Sequence, residues 1–379
     1  MGSGPPLVSV IVPVRDDVAG VRELVDRLAA QTLGRERFEV LVGDDGSEPG
    51  SLDGMQTADG WLRVVSGPPR TSYAARNSAA AAARGSVFAF CDSDCLPDPT
   101  WLEEGVAGLA DATIVAGAVI FTPPYRPRSW SLLTIDMFLD QERNVLLSRG
   151  VTANLFVQRR TFEALDGFDE SLPSGGDYDF VRRSLESGAR LAYCSSAVVR
   201  HPTLDDRRRF LRKVWSTNRW ASARRARSGQ PPERWAWLTV IPILGVIEAR
   251  RRALRPPFSL FRARLRESGV SLGPLQHLRA LFVLYLMVAP VARLGQIRGI
   301  LDGRRMRREG QGPRLRDRTE LERVVALSAH AHERPNGRAG GGVVVPNAAP
   351  EPGAATLGRL DVDHGRLLRL QQPGDAREG

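Results

Sequence analysis

Short apolar runs alternate with amphipathic segments up to about residue 200. The mainly apolar runs of strand length are Leu7–Val14, Phe38–Gly43, Trp61–Val65, Val87–Cys91 and Ile114–Phe121. Such runs are typical of strands that are buried on both faces of a sheet. Apolar residues at helical spacing follow the first run, and the Ala-rich stretch Tyr73–Arg84 favours another helix. This alternation predicts an α/β fold with a largely parallel sheet and helices on both of its faces.

Aspartates stand in pairs directly after two of these runs. Asp44 and Asp45 close the second run, and Asp92 and Asp94 follow the fourth. Because ligands bind beyond the carboxyl ends of the strands in sheets of this kind, we expect both pairs at one rim. Mg²⁺ and Mn²⁺ prefer oxygen ligands, and Mg²⁺ commonly joins one or two carboxylates to substrate phosphates. The competing interpretation of Asp92 and Asp94 is a solvated turn at the end of a strand.

Cys91 and Cys95 flank the same aspartates and introduce zinc as another interpretation. A structural zinc site needs four nitrogen or sulfur ligands, usually in two closely spaced pairs. The third cysteine, Cys194, stands alone in the sequence. We therefore expect Cys91 and Cys95 to be small buried side chains. Three cysteines are also too few for a disulfide framework, which favours a reducing, intracellular setting.

Asp177 follows a glycine pair at the predicted start of an amphipathic helix. A carboxylate at a helix N-terminus is stabilised by the helix dipole, so one interpretation of Asp177 is a helix cap. The same position, in a glycine-lined opening, suits a general base that accepts a proton from a substrate hydroxyl. The residues by themselves leave both roles open.

Positive charge is concentrated between Arg200 and Arg305. This segment holds 23 Lys and Arg against 6 Asp and Glu, a local charge of +17, while the whole chain carries +10. The cations alternate with two apolar stretches, Trp235–Ile247 and Ala280–Ala292, which are shorter than the roughly 20 residues that cross a bilayer. The pattern favours contact with a membrane surface over nucleic-acid binding, and a buried helical hairpin is the alternative.

These changes of composition predict three parts of the chain. Residues 1–205 form the α/β domain, and residues 206–305 form a basic, partly apolar and mostly α-helical region. Residues 306–379 are rich in Gly, Pro and Arg, which predicts a flexible tail.

Taken in order, several segments resemble the family 2 glycosyltransferases over about residues 7–201. They are VSVIVPVRDD, LVGDDGS, ARNSAAAAARG, FCDSDCLPDPTWLE and ANLFVQRRTFEALDGFDESLPSGGDYDF. Each segment is a weak signal alone, whereas the ordered set is specific. The resemblance implies the GT-A fold, a Rossmann-like mixed sheet with helices on both faces. It also implies a nucleotide-diphosphate-sugar donor, with a UDP-sugar favoured, a Mg²⁺ or Mn²⁺ ion, and inversion at the anomeric carbon.

The resemblance also assigns roles to individual residues. Asp177 would be the catalytic base, and Asp92, Asp94 and His201 would form the metal site. The residues that would bind the nucleotide sugar are Pro13, Arg15, Asp44, Asp45, Arg76, Asp92 and Asn154. One position departs from the family pattern, because Gly176 stands where the family usually has a glutamate before the base.

We therefore expect a bacterial, metal-dependent, inverting glycosyltransferase that adds one sugar to a hydroxyl acceptor. The acceptor would be lipid-linked or part of a cell-envelope glycan, and the enzyme would be cytoplasmic, in peripheral contact with the inner face of the membrane. No nucleic-acid partner is expected. A sugar-phosphate nucleotidyltransferase and an inactive scaffold of the same fold remain alternatives, the latter because of Gly176.

Overall fold

The computed structural model describes residues 5–227, 229, 264–309 and 343–344. All of them lie in one compact unit, Met1–Asn347. The apolar stretch Trp235–Ile247 and most of the predicted tail 306–379 fall outside the described residues. The predicted division of the chain at residues 205 and 305 stays a prediction.

A mixed sheet forms the centre of the fold. Its strands are β1 (Val8–Val14), β2 (Phe38–Asp44), β3 (Leu62–Ser66), β4 (Val87–Cys91), β5 (Leu96–Pro97), β6 (Ile114–Thr122), β7 (Asn154–Gln158), β8 (Leu191–Pro202) and β9 (Val343–Val344). The strand order is β3-β2-β1-β4-β7-β6-β8-β5, and β9 pairs with β8. Strands β3, β2, β1 and β4 are parallel, whereas β7 runs antiparallel to both β4 and β6. The mixed sheet implied by the resemblance is therefore confirmed.

Helices cover both faces of the sheet and extend beyond it. Those of the first part are α1 (Val18–Ala29), α2 (Ser72–Ala82), α3 (Trp101–Gly108), α4 (Ser129–Met137), α5 (Gln141–Leu146), α6 (Arg159–Ala164) and α7 (Gly176–Glu186). A 3₁₀ turn spans Arg35–Arg37. The basic region contributes α8 (Arg207–Arg227), α9 (Pro274–Val283) and α10 (Ala289–Arg308).

Alternating residues of β1 belong to two separate apolar clusters. Val10 and Val12 belong to one cluster together with Leu24 of α1, whereas Ile11 belongs to the other together with Phe90. Every residue of β1 is buried. This explains why the sequence shows a continuous apolar run rather than alternation, since both faces of the strand are covered.

Helices α8 and α10 pack with their backbones in close contact. Gly295, Gly299 and Gly303 repeat every fourth residue and face carbonyl groups of α8. A Cβ atom at Gly299 would overlap the carbonyl oxygen of Arg219. Small residues at this spacing therefore allow the close approach of the two helices.

A π-helical turn, Leu284–Val288, joins α9 to α10. Pro290, in the first turn of α10, lacks the N–H that a regular helix would donate to the carbonyl of Leu286, which favours the wider turn. Leu284 and Val288 point inward and pack with Phe210 and Val214 of α8. None of the described helices combines the length and apolar character needed to cross a membrane.

Candidate active site

The carboxyl ends of β1 and β2 are joined through Asp45. Its backbone N–H donates to the carbonyl of Val14 (2.9 Å), and its buried carboxylate accepts a hydrogen bond from the N–H of Arg70 (2.7 Å). The neighbouring Asp44 accepts from the N–H of Ser47 (2.9 Å). Asp45 thereby shapes the loop that leads into α2, next to the rim where the nucleotide is predicted to bind.

Pro13 and Arg15 lie at the end of β1. Pro13 is buried and pairs with Gly43 of β2, while Arg15 is exposed. A Cβ atom at Gly43 would overlap the carbonyl oxygen of Ala75, so this glycine lets α2 approach the sheet. The structure thus places both predicted residues at the rim, and Gly43, the strand partner of Pro13, lies against α2.

Arg76 of α2 is buried and forms an ion pair with Asp92. The guanidinium Nη2 lies 2.5 Å from Asp92 Oδ1, and the Arg76 side chain is only 5% exposed. The pair joins two residues that the resemblance assigns to different tasks, nucleotide contact and metal binding. Among the described residues, no group accepts a hydrogen bond from Arg76 Nε.

Asp94 and His201 face each other across the rim. His201 Nε2 lies 3.5 Å from Asp94 Oδ1, and His201 Nδ1 lies 2.7 Å from the carbonyl oxygen of Pro202. A proton on Nδ1 satisfies that carbonyl and leaves the Nε2 lone pair directed toward Asp94, which is how histidine is oriented in metal sites. Partial burial raises the pKa of Asp94, the nearby His201 lowers it, and the carboxylates of Asp92 and Asp17 raise it further. The two side chains offer one oxygen and one nitrogen ligand and therefore fit a divalent cation.

Cys95 lies beside this pair. The ligand atoms of Asp94, Cys95 and His201 are all within 4.8 Å of one another. The Cys95 thiol is completely buried and lies 3.8 Å from the carbonyl oxygen of Ala153, to which it donates. Its hydrogen bond with Cys91, followed by burial, raises the pKa of Cys95. Cys91 and Cys95 are buried as predicted, although the proximity of Cys95 to His201 was not foreseen.

Asp177 stands in the first turn of α7 and is 9% exposed. Its Oδ1 atom accepts hydrogen bonds from the hydroxyl of Tyr73 (3.2 Å) and the N–H of Tyr178 (2.9 Å). Burial raises the pKa of Asp177, whereas the Tyr178 N–H and the cations Arg76 and Arg224 lower it. A carboxylate with a raised pKa is better suited to accept a proton than a solvated one.

Tyr73 also explains the absence of a side chain at position 176. A Cβ atom at Gly176 would lie 2.9 Å from the Tyr73 ring. The ring therefore takes the space beside the backbone where the family usually carries a glutamate. Neither Tyr73 nor Arg224 was a candidate from the sequence, because one lies in an Ala-rich helix and the other in a long run of arginines.

Asn154 occupies the start of β7 and is completely buried. Its amide oxygen accepts from Trp101 Nε1, and its amide nitrogen donates to the carbonyls of Ala118 and Ala197, each at 2.8 Å. These bonds connect β7 with α3, β6 and β8. The contact of Asn154 with the donor sugar stays a prediction, since its amide group is engaged within the core.

Comparisons with known proteins bear on the family of the chain. Residues 9–161 match the model of glycosyl transferase family 2. Glycosyltransferase AglE of Haloferax volcanii is 31% identical over 211 residues, covering 53% of this chain and 69% of that protein. Pre-mycofactocin glycosyltransferase of Mycobacterium tuberculosis is 32% identical over 205 residues, covering 51% of this chain and 42% of that protein. The chain thus spans about two thirds of the first relative and less than half of the second.

Among solved structures, the chain is similar to the mannosyltransferase PcManGT from Pyrobaculum calidifontis in complex with GDP-Man and Mn²⁺. The TM-score is 0.49 at 19% identity, covering 79% of this chain and 88% of that one. The family match, the AglE relative and the mixed sheet with aspartates at its rim lead to one identification. The chain belongs to glycosyl transferase family 2 and is a glycosyltransferase of the GT-A fold.

Proposed function

We propose that this enzyme is a metal-dependent, inverting glycosyltransferase that transfers a single sugar from a nucleotide-diphosphate sugar to a hydroxyl acceptor. The observation that carries the proposal is the position of the buried Arg76, which binds Asp92 and also acts electrostatically on Asp177. The Arg76 guanidinium therefore connects the predicted metal-binding motif with the predicted base. This is the arrangement expected where a diphosphate leaves from one side and a hydroxyl attacks from the other.

Asp94 and His201 would hold the Mg²⁺ or Mn²⁺ ion, with Asp92 beside them. A divalent cation bound there supplies neutralisation of the charge that develops on the leaving nucleoside diphosphate. Arg76 contributes its own charge beside Asp92. Asp44 and Asp45, at the end of β2, are proposed to contact the nucleotide, and we favour a UDP-sugar as the donor.

Asp177 is proposed to accept the proton of the acceptor hydroxyl. The Tyr73 hydroxyl and the Tyr178 N–H both bond to Oδ1 of this carboxylate, which orients its other oxygen, Oδ2, as the proton acceptor. A hydroxyl activated there attacks the anomeric carbon opposite the leaving diphosphate, which inverts the configuration. The Tyr178 N–H bond is the contact of a cap, and the orientation of Oδ2 is what a base needs, so one carboxylate serves both roles in this proposal.

Replacing Asp177 by Asn tests this proposal. The change keeps the size of the side chain but removes the proton acceptor, so transfer and donor hydrolysis should fall about 10²- to 10⁴-fold. Donor binding, measured as a thermal shift with a panel of UDP- and GDP-sugars, should be retained. The matched control is Asp179→Asn, in the same turn of α7, because Asp179 is engaged by Arg182 and Arg183. Normal turnover of the Asp177 variant would refute the base assignment.

We further propose that the enzyme works at an anionic membrane surface on a lipid-linked or cell-envelope acceptor. Large apolar side chains on α9, the π-helical turn and α10 are 49–65% exposed. These residues, here called the apolar ridge, are Leu275, Phe282, Leu286, Leu294 and Leu301.

The members of the apolar ridge lie along one side of the helical segment. Leu275, Phe282 and Leu286 are separated by seven and four residues, which places them on one helical face. Leu294 follows Leu286 by eight residues, one more than the spacing of seven that keeps two side chains on one helical face. The wider π-helical turn accommodates this extra residue. The spacing from Leu294 to Leu301 is again seven.

Exposed arginines flank the apolar ridge at regular spacing. Arg279, Arg298 and Arg305 each lie three or four residues from a member of the ridge. Apolar side chains bordered by guanidinium groups match the boundary between acyl chains and anionic headgroups. This combination of charge and apolar surface favours a lipid surface at the inner face of the membrane.

A further inference from the structure

Helix α8 reaches the loop that precedes the proposed base. Arg224 Nη1 donates to the carbonyl oxygen of Ser174 at 2.6 Å. Between Ser174 and α7 stands Gly175, whose φ of +76° is rarely adopted by other residues. A Cβ atom at Gly175 would overlap the Arg224 guanidinium. Gly175 therefore allows both the positive φ of the turn and the close approach of the Arg224 guanidinium.

A second arginine of α8 contacts the same loop. Arg227, three residues after Arg224, forms an ion pair with Asp169 (3.2 Å), and its side chain is 9% exposed. Residues three apart lie on the same side of a helix, so both guanidinium groups face the segment 169–175. The loop is thus held at two points by a helix that lies outside the family match at 9–161.

The charged and titratable groups around Asp177 come from three helices. They are Tyr73 and Arg76 of α2, Tyr178 of α7 itself, and Arg224 of α8. Burial lowers the pKa of Arg224, and the carboxylate of Asp177 opposes that effect. The two groups thus stabilise each other's charged forms at a site with little water.

We propose that Arg224 is a positioning residue for the catalytic base. By binding the Ser174 carbonyl it holds residues 174–176 in place, which sets the direction of the Asp177 carboxylate, and its charge favours the ionised form of that carboxylate. The inference rests on the proposed role of Asp177 in the reaction. It means that the base is completed by the basic helical region, and both the base and this region lie beyond the family match at 9–161.

The first test needs no substrate. In Arg224→Gln the amide hydrogens of residues 171–178 should exchange about tenfold faster than in the unmodified enzyme. Exchange in the strands of the sheet should stay unchanged. Arg212→Gln, an exposed arginine of the same helix, is the matched control and should leave the loop unchanged. Unaltered exchange in the Arg224 variant would overturn the proposal.

The second test separates positioning from mere folding. The probes are Mn²⁺ together with UDP-glucose, UDP-N-acetylgalactosamine or GDP-mannose. For whichever of these donors the enzyme hydrolyses, Arg224→Gln should lower kcat about 100-fold and change KM little. Loss of the cation raises the pKa of Asp177, so the acidic limb of the kcat profile should move to higher pH. Arg224→Lys, which keeps the charge, should leave that limb in place.

The outcomes distinguish this inference from the proposed function. If Asp177→Asn is inactive but Arg224→Gln has the kcat and pH profile of the unmodified enzyme, only the role of Arg224 is refuted. If Asp177→Asn turns over normally, the base assignment fails first. If none of the three probes is hydrolysed, the exchange measurement still decides whether Arg224 holds the loop.

Discussion

Arg76 changes the interpretation of the two aspartates that follow β4. Its buried guanidinium is already paired with Asp92, so the negative charge of that carboxylate is balanced by Arg76 before any ligand binds. Asp94 is half exposed and faces the Nε2 atom of His201 instead. Removing one partner of a buried pair is costly, whereas an exposed carboxylate can be exchanged with little loss of stability. Asp94 is therefore the residue at which metal binding can be tested cleanly.

Asp94→Ala should abolish the Mn²⁺-dependent part of donor binding. The variant loses one of the two ligands that face each other, so we expect the affinity for Mn²⁺ to fall by more than about tenfold. The measurement is a thermal-shift screen of nucleotide sugars with and without Mn²⁺. The exposed Asp111, replaced by Ala, serves as the control. A variant that kept the full Mn²⁺-dependent shift would show that the metal is held elsewhere.

At the scale of elements, the close packing of α8 against α10 supports the loop before α7. Gly299 faces the carbonyl oxygen of Arg219, one helical turn before Ala223 and Arg224. A side chain at Gly299 would push α8 away and would carry Arg224 with it. Stability and catalysis should therefore respond together to a change that lies outside the active site.

Gly299→Val should destabilise the protein by about 1–3 kcal/mol, because inserted atoms in a packed interface force the helices apart. We expect a lower melting temperature and faster amide exchange in both α8 and residues 171–178. Leu294→Val introduces the same side chain at an exposed position of α10 and should change neither. Equal melting temperatures for the Gly299 variant and the unmodified enzyme would contradict the close packing.

At the scale of the whole molecule, charge and exposed apolar surface coincide. The segment between Arg200 and Arg305 has a local charge of +17, and the apolar ridge lies within it. Electrostatic attraction to anionic lipids weakens with salt, whereas burial of apolar side chains does not. Both contributions can thus be measured separately on the same vesicles.

The enzyme should float with vesicles that contain phosphatidylglycerol and much less with pure phosphatidylcholine. Replacing Phe282 and Leu286 by Ser should weaken vesicle binding about tenfold or more, because two large apolar side chains no longer enter the lipid. The matched control replaces Leu146 and Leu147 by Ser, since these leucines are equally exposed but lie outside the apolar ridge.

Two results would refute the lipid surface. Equal flotation of the ridge variant and the control variant would show that the ridge makes no lipid contact. A dimer in light scattering that dissociates only in the ridge variant would instead identify the ridge as a contact between two copies of the chain.

The sequence by itself determined five of the strands, β1 to β4 and β6, and the position of the aspartates that follow β2 and β4. Continuous apolar runs such as those of β1 and β4 require burial on both faces, and this requirement is local, so it can be read from the residues alone. Because parallel strands bring their carboxyl ends to one rim, Asp45, Asp92 and Asp94 could be expected near one another.

Only the tertiary structure decided which groups surround the proposed base. Tyr73 meets Asp177 across 104 residues, and Arg224 meets Ser174 across 50. Such pairs depend on how whole helices pack, through Gly176 under the Tyr73 ring and Gly175 beside Arg224, and no local periodicity encodes them. The antiparallel direction of β7 is likewise set by its neighbours β4 and β6, since an apolar run of strand length reads the same in either direction.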